Sequence, residues 1–148
     1  MDFSREALKK LFPNTLVRGS VFRTTWVFPD GKQKPKFLIL LNARPREDAL
    51  LLFFLTTSQT EFFKKNPHIK DLVHIQPGDV SFLPLLTIVD CRQVIKSSKS
   101  DWEERYLGQR LECPGALPAH LVEKIDSIVM DSKLISPRDK NIIFGSSS

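Results

Sequence analysis

The sequence is poor in the residues that would hold a small protein together covalently or through a metal. It contains only two cysteines, Cys91 and Cys113, far apart and without CxxC spacing. This pattern fits neither a disulfide-rich scaffold nor a zinc or redox motif. The three histidines are separated in sequence, so folding would have to bring any histidine acid–base pair together. A chain of 148 residues is instead expected to fold as one compact domain around a hydrophobic core.

Long apolar segments are also missing. The longest wholly apolar run, Ala49 to Leu55, is far shorter than the roughly 20 residues that span a bilayer. The N-terminal order Met-Asp-Phe-Ser-Arg-Glu lacks the basic and then apolar segments of a secretory signal. The sequence therefore predicts a cytoplasmic protein.

The motifs that identify many enzymes are absent. We find no Walker loop, dinucleotide-binding glycine run, HExxH motif or zinc-finger spacing. No pair of carboxylates stands out, and Asp101, Glu103 and Glu104 are typical of an exposed acidic turn. We therefore expect neither a metal nor a cofactor.

The charge is distributed unevenly along the chain. Residues 1–70 carry 13 basic and 6 acidic side chains, whereas residues 71–148 carry 9 and 11, and the whole chain has a net charge of +5. A basic front half indicates a surface that faces a polyanion.

Periodicity and turn residues predict the elements. Leu8, Leu11 and Phe12 indicate an N-terminal helix with Ser4 as N-cap, a Phe3–Leu8 staple and Pro13 as its end. Strands are predicted at 21–28, 37–41, 50–55, 80–83 and 86–95, with a turn at 29–31 and a loop at 97–100. Residues 101–107 fit a helical turn capped by Ser100 or a strand equally well, and an amphipathic helix is predicted from Ala119 to Ile135, ended by Ser136-Pro137. These elements predict a mainly β protein with α-helices, a small antiparallel barrel or half-barrel covered by a helix.

A polar cluster follows one of the predicted core strands. Thr56, Thr57, Ser58 and Gln59 come directly after the apolar run 50–55. The segment Lys32-Gln33-Lys34-Pro35-Lys36 precedes the neighbouring strand. Hydroxyls, amides and ammonium groups can bind phosphates and base edges, although a solvated hairpin end has the same composition.

The order of four short motifs resembles the MazF/PemK (CcdB/PemK) toxin family. The motifs are Arg18-Gly19-Ser20-Val21, Lys34-Pro35-Lys36 before an apolar strand, Leu55-Thr56-Thr57-Ser58-Gln59, and Asp90-Cys91-Arg92-Gln93-Val94, followed by an amphipathic helix. The resemblance covers residues 18–135. It implies an SH3-like barrel with a C-terminal helix, here with an extra N-terminal helix, and usually a homodimer. The corresponding domains are a helical extension at 1–17, the MazF/PemK-like domain at 18–144 and a flexible tail at 145–148.

The resemblance also implies an activity and its residues. Members of the family are metal-independent endoribonucleases (mRNA interferases) that cleave single-stranded RNA, with the substrate 2′-hydroxyl as nucleophile and a 2′,3′-cyclic phosphate as product. By position, Lys34 and Thr57 are the catalytic residues that the family implies. RNA-binding residues implied in the same way are Arg18, Lys32, Lys36, Ser58, Gln59 and Gln93. An acidic antitoxin protein is the implied partner.

Two positions depart from the family pattern. Lys34 replaces an arginine, and a lysine ammonium is a point charge that cannot form the bidentate contacts of a guanidinium at a phosphate. Ser20 stands where an acidic residue is usual. Arg18, Arg23 or Arg44 are alternative cations for the missing arginine.

Two other functions fit the same composition. The barrel could be a non-catalytic nucleic-acid-binding or protein-binding module in which Lys34 and its neighbours only hold phosphates. It could also be a partner-binding domain whose charge serves solubility, with Phe62-Phe63 as the contact patch.

Overall fold

The computed structural model describes residues 4–145. Its centre is one six-stranded antiparallel sheet that curls into a half-barrel, with strand order β4-β5-β3-β2-β1-β6. The strands are β1 (Ser20–Val27), β2 (Gln33–Leu40), β3 (Leu50–Thr57), β4 (Leu72–Ile75), β5 (Thr87–Ser98) and β6 (Leu111–Ala116). The helices are α1 (Arg5–Thr15), α2 (Glu61–Lys65), α3 (Lys99–Leu107), α4 (Ala119–Asp131) and α5 (Pro137–Phe144). The predicted antiparallel half-barrel with helices at both ends of the chain is confirmed.

Alternation along the central strands gives the sheet two buried faces. Leu52 and Phe54 of β3 pack with Val89 and Cys91 of β5 beneath α4 and α5, and we call this the outer face. Leu51 and Phe53 point the other way, into a cluster with residues of α1 and α3 that includes Phe12, Leu16, Phe22, Leu38, Leu40 and Trp102. We call this the inner face. Because β3 is buried on both faces, it forms a continuous apolar run.

Helices α1 and α3 cover one end of the inner face and leave the other end open. Phe12 lies 5.5 Å from Tyr106 between ring centroids, and Trp102 lies 4.4 Å from Phe53. Arg5 of α1 and Glu104 of α3 form two hydrogen bonds of 2.8 and 3.0 Å. The open end contains the start of β2 and the end of β3, where the polar motifs lie.

Some predicted boundaries are wrong. Helix α1 continues two residues past Pro13, and its Ser4 cap is confirmed by a 3.1 Å bond from the Ala7 N–H, whereas Phe3 lies outside the described residues. Residues 97–100 are the end of β5 and the start of α3, not a loop, and the N-cap of α3 is Ser98. Residues 101–107 are helical.

Other segments differ in kind. Residues 80–83 form turns instead of a strand, because Val80 and Leu83 reach the outer-face core from a loop. The C-terminal helix ends at Asp131, and Ser136-Pro137 begins the separate helix α5 with Ser136 as its N-cap. Helix α2 and strands β4 and β6 are additions to the predicted elements. No helix in residues 4–145 is long and apolar enough to cross a membrane.

Candidate functional site

The site forms where strands β2 and β3 separate. Their ladder runs from the Leu40–Phe53 pair to the Leu38–Leu55 pair. Beyond it lies Pro35, which has no N–H to contribute to a ladder. Continuing the register sets Lys36 opposite Thr57 and Lys34 opposite Gln59. Side chains bridge this gap, with 3.4 Å from Lys36 Nζ to Thr57 Oγ1 and 3.5 Å from Lys34 Nζ to Gln59 Oε1.

A groove of about 290 Å³ opens between the two strand ends. Its lining includes the polar residues Lys36, Thr57 and Ser58 and the apolar segment Leu83-Pro84-Leu85. The remaining lining residues are Pro35, Phe37, Thr56 and Thr87. Thr56 belongs to the scaffold, because its hydroxyl is buried and donates to the Phe37 carbonyl at 2.9 Å.

The Thr57 hydroxyl is oriented by two donors. Its oxygen accepts the Lys36 ammonium and also the Gln59 backbone N–H, the latter at 3.1 Å. A hydroxyl oxygen has two lone pairs and one proton. With both lone pairs engaged, the one proton of the Thr57 hydroxyl is left to donate to a further acceptor, such as a phosphate oxygen.

Lys36 is the more enclosed of the two site lysines. Its ammonium lies 5.9 Å from the centroid of the Phe28 ring as well as 3.4 Å from Thr57 Oγ1. Burial lowers the pKa of Lys36 below its ordinary value, and the positive charge of Lys34 lowers it further. Both effects disfavour the charged form.

Lys32, Lys34 and Lys36 form a row of cations that we call the lysine strip. It runs from β2 into the turn between β1 and β2. Lys32 and Lys34 line a second hollow with Phe28, Pro29 and Asp30. The turn is fixed by hydrogen bonds from Lys32 N to Asp30 Oδ1 and from Gly31 N to the Phe28 carbonyl, both 2.9 Å. Among residues 4–145, Lys32, Lys34 and Lys36 form no ion pair with a carboxylate. Their charge is therefore available to an external anion.

The structure does not bring Arg18 to this groove. Arg18 forms an ion pair with Asp126 of α4 and lies 5.9 Å from the Phe144 ring centroid. The neighbouring Gly19 N–H bonds to the Leu40 carbonyl, at the far end of β2. Leu40 is six positions along β2 from Lys34, a distance of roughly 20 Å.

Gln93 is also distant from Thr57. Thr57 is paired with Ile88 of β5, and Gln93 lies five residues farther along that strand, roughly 16 Å. It is exposed within the irregular stretch between the Leu55–Asp90 and Phe53–Ile95 pairs.

Two charged residues of the inner face were missed as site candidates. Asp90 is paired with Leu55 and is the diagonal neighbour of Thr57. Arg92 donates two 2.9 Å hydrogen bonds to the Asp90 carboxylate and lies 5.5 Å from the Phe63 ring centroid. Burial alone would raise the pKa of Asp90, but its hydrogen bonds and the charge of Arg92 lower it. The sequence contains a signal for both residues, because alternate residues of a strand face opposite sides of the sheet. Asp90 and Arg92 share one side with Ile88, and the other side carries Thr87, Val89 and Cys91.

Comparisons with known proteins find similarity to solved structures but to no family model and no curated protein. Similar solved structures include one described as "Endoribonuclease in complex with its cognate antitoxin from Mycobacterial species". That chain is 22% identical, the match covers 78% of this chain and 89% of that one, and the TM-score is 0.46. At this level the likeness does not establish family membership, and its description applies to that protein alone.

Proposed function

We propose that this protein is a metal-independent endoribonuclease of the MazF/PemK type that cleaves single-stranded RNA. The observation that carries the proposal is the group formed by Lys34, Lys36, Thr57 and Gln59 where the start of β2 faces the end of β3. Within residues 4–145 these lysines have no carboxylate partner, and they stand beside a hydroxyl whose lone pairs are already engaged and whose proton is left to donate. This arrangement suits a phosphodiester and the negative charge that develops on it during cleavage.

In the proposed reaction the RNA supplies its own nucleophile. The 2′-oxygen attacks the adjacent phosphorus, the bond from phosphorus to the 5′-oxygen breaks, and a 2′,3′-cyclic phosphate and a 5′-hydroxyl remain. Thr57 donates a hydrogen bond to a non-bridging phosphate oxygen, and Lys34 supplies positive charge to the same group. Lys36, next to Thr57, binds the RNA at the cleaved phosphate, and Lys32, Ser58 and Gln59 hold the flanking strand. Arg18 and Gln93 stay predictions, as contacts to a longer RNA.

The same proposal includes the partners and domains that the resemblance implies. An acidic antitoxin would place its carboxylates along the lysine strip, because the lysines of the strip form no ion pair with a carboxylate of residues 4–145. A homodimer, a helical extension at 1–17, the core at 18–144, a tail at 145–148 and a cytoplasmic location belong to the proposal as well.

The test uses long single-stranded RNA of mixed sequence in EDTA. We expect the wild-type protein to produce fragments whose 5′-hydroxyl ends accept label directly from a kinase. Thr57→Ala and Lys34→Ala should each slow cleavage by about 10²–10³, the usual effect of losing one transition-state donor. Matched controls are Ser127→Ala and Lys124→Ala, both exposed on α4, which contributes no lining residue to the groove. Full activity in Thr57→Ala would contradict the proposal.

A non-catalytic nucleic-acid-binding module is the second candidate. The observation that favours it is that Thr57 Oγ1 contacts an ammonium and an N–H but no histidine or carboxylate within residues 4–145. Such a module would bind RNA in a salt-sensitive manner and leave it intact. In the same EDTA assay, binding without any new 5′-hydroxyl ends would select this function.

A further inference from the structure

We propose that Lys36 is the residue that protonates the leaving 5′-oxygen, so that the two site lysines have different tasks. This inference rests on the proposed endoribonuclease function and deepens it. Positional resemblance assigns the catalytic cation to Lys34. The geometry of the groove assigns the proton donor to Lys36.

The first support is register. Continuing the β2–β3 pairing sets Lys36, and not Lys34, opposite the Thr57 hydroxyl. The ammonium of Lys36 lies 3.4 Å from Thr57 Oγ1, whereas that of Lys34 contacts Gln59 Oε1 at 3.5 Å, one cross-strand pair farther out. A phosphate oxygen that accepts the Thr57 proton is thereby brought next to the Lys36 ammonium. Both contacts are at the long end of the hydrogen-bond range, so either can be exchanged for an RNA oxygen.

The second support is enclosure. The Lys36 ammonium lies 3.4 Å from Thr57 Oγ1 and 5.9 Å from the centroid of the Phe28 ring, and Lys36 is one of the residues that line the groove. Lys34 lies in the more open hollow shared with Lys32. A partly desolvated ammonium near another cation releases its proton more readily than an ordinary lysine, and its lowered pKa agrees with this.

No carboxylate of the described residues forms an ion pair with Lys36 that would hold its proton. On each side, the direct cross-strand neighbours of Lys36 are the threonines Thr24 and Thr57. The charged or titratable groups in the wider surroundings are Lys34 on its own strand, Asp30 and Lys32 in the turn, Asp90 with Arg92 on β5 and His74 on β4. Of these carboxylates, Asp90 is held by Arg92, and the Asp30 oxygen accepts the Lys32 backbone N–H.

The step balances without a co-reactant. The 2′-hydroxyl loses its proton to solvent as its oxygen bonds to phosphorus. As the bond from phosphorus to the 5′-oxygen breaks, that oxygen takes a proton from the Lys36 ammonium. The neutral amine regains a proton from solvent before the next turnover.

The experiment uses a short RNA that contains one mapped cleavage site. We expect Lys36→Met to lower kcat by at least about 10²-fold, within the range for a general acid, and to change KM only a few-fold. Lys36→Arg should lose activity similarly, because guanidinium keeps its charge but holds its proton too tightly to donate it. Binding is measured with the 2′-deoxy analogue of the same RNA and should be retained in Lys36→Arg. Wild-type kcat in Lys36→Arg would mean that only charge matters, and it would overturn the inference.

The pH profile gives an independent readout. Activity should fall at high pH as Lys36 loses its proton. Lys34→Met should move this alkaline limb to higher pH, since removing the Lys34 charge raises the pKa of Lys36. Alkylation of Lys36→Cys with 2-bromoethylamine installs a thioether amine of lower pKa and should restore activity with the limb moved to lower pH. Wild-type protein treated in parallel controls for modification of Cys91 and Cys113.

The outcomes separate the two proposals. If the wild-type protein leaves RNA intact, the proposed function fails. If the wild-type protein cleaves RNA but the alkaline limb persists unchanged in Lys36→Arg or is unmoved in Lys34→Met, only the assignment of Lys36 fails.

Discussion

Lys34 and Lys36 are two residues apart in one strand, yet they have different surroundings. Both project to the inner face, because residues i and i+2 of a strand share a face. Trp26 and Gln59 flank Lys34, whereas Thr24 and Thr57 flank Lys36. Sequence position could identify the lysine strip. It could not tell which lysine meets the hydroxyl, because that depends on the register between β2 and β3.

Two glycines with the same backbone angle allow a test of local packing. Gly19 and Gly31 have φ values of +85° and +84°, so alanine carries a similar backbone penalty at each. A Cβ at Gly19 would lie 2.9 Å from Val122 Cγ2, whereas nothing lies within 4 Å of one at Gly31. We expect Gly31→Ala to lower the free energy of unfolding by about 1 kcal/mol and Gly19→Ala by roughly 2–3 kcal/mol. Urea unfolding measures both, and equal losses would show that Val122 does not resist the new Cβ.

At the scale of elements, strands and helices with a regular apolar pattern can be predicted from the sequence, whereas an irregular strand such as β6 cannot. Strand β3 is an apolar run, and α4 repeats apolar residues at Leu121, Ile125 and Val129. These residues are buried in the structure, and their spacing in the sequence predicts both elements. Strand β6 contains Pro114 and Gly115, residues that normally indicate a turn, but it pairs on one side only, with β1. An edge strand tolerates such residues. Its existence therefore depends on a tertiary partner.

The start of α3 gives a prediction for an element boundary. The sequence predicts Ser100 as the cap, but it is the Ser98 hydroxyl that accepts the Asp101 N–H, at 3.1 Å. We expect Ser98→Ala to reduce the free energy of unfolding by about 1 kcal/mol. Ser100→Ala, inside the first turn, should change it by less than about 0.5 kcal/mol. Thermal and urea unfolding of the two variants decide the matter, and a larger loss in Ser100→Ala would place the cap two residues later.

At the scale of the whole molecule, ion pairs redistribute the basic excess of the front half. Arg5, Arg18 and Arg23 each lie within 4.0 Å of a back-half carboxylate, on Glu104, Asp126 and Glu112 respectively. Sequence counting shows the excess but not these long-range pairs. In the part of the chain that the structure describes, Lys32, Lys34 and Lys36 form no ion pair with a carboxylate, so their positive charge stays concentrated at the open end of the inner face. The fold therefore concentrates part of the basic excess of residues 1–70 in the lysine strip, whose member Lys36 contacts Thr57.

That location predicts how RNA affinity responds to salt. For single-stranded nucleic acid, the slope of log affinity against log salt has a magnitude of about 0.7 for each phosphate that the protein neutralises. Lys32→Met and Lys34→Met should each reduce this magnitude by about 0.7, since each removes one unpaired cation from the strip. Lys124→Met on α4 should leave it unchanged. Fluorescence anisotropy with a 2′-deoxy RNA analogue over a range of potassium chloride concentrations measures the slopes. An equal reduction in all three variants would mean that RNA responds to the net charge of the molecule and not to the lysine strip.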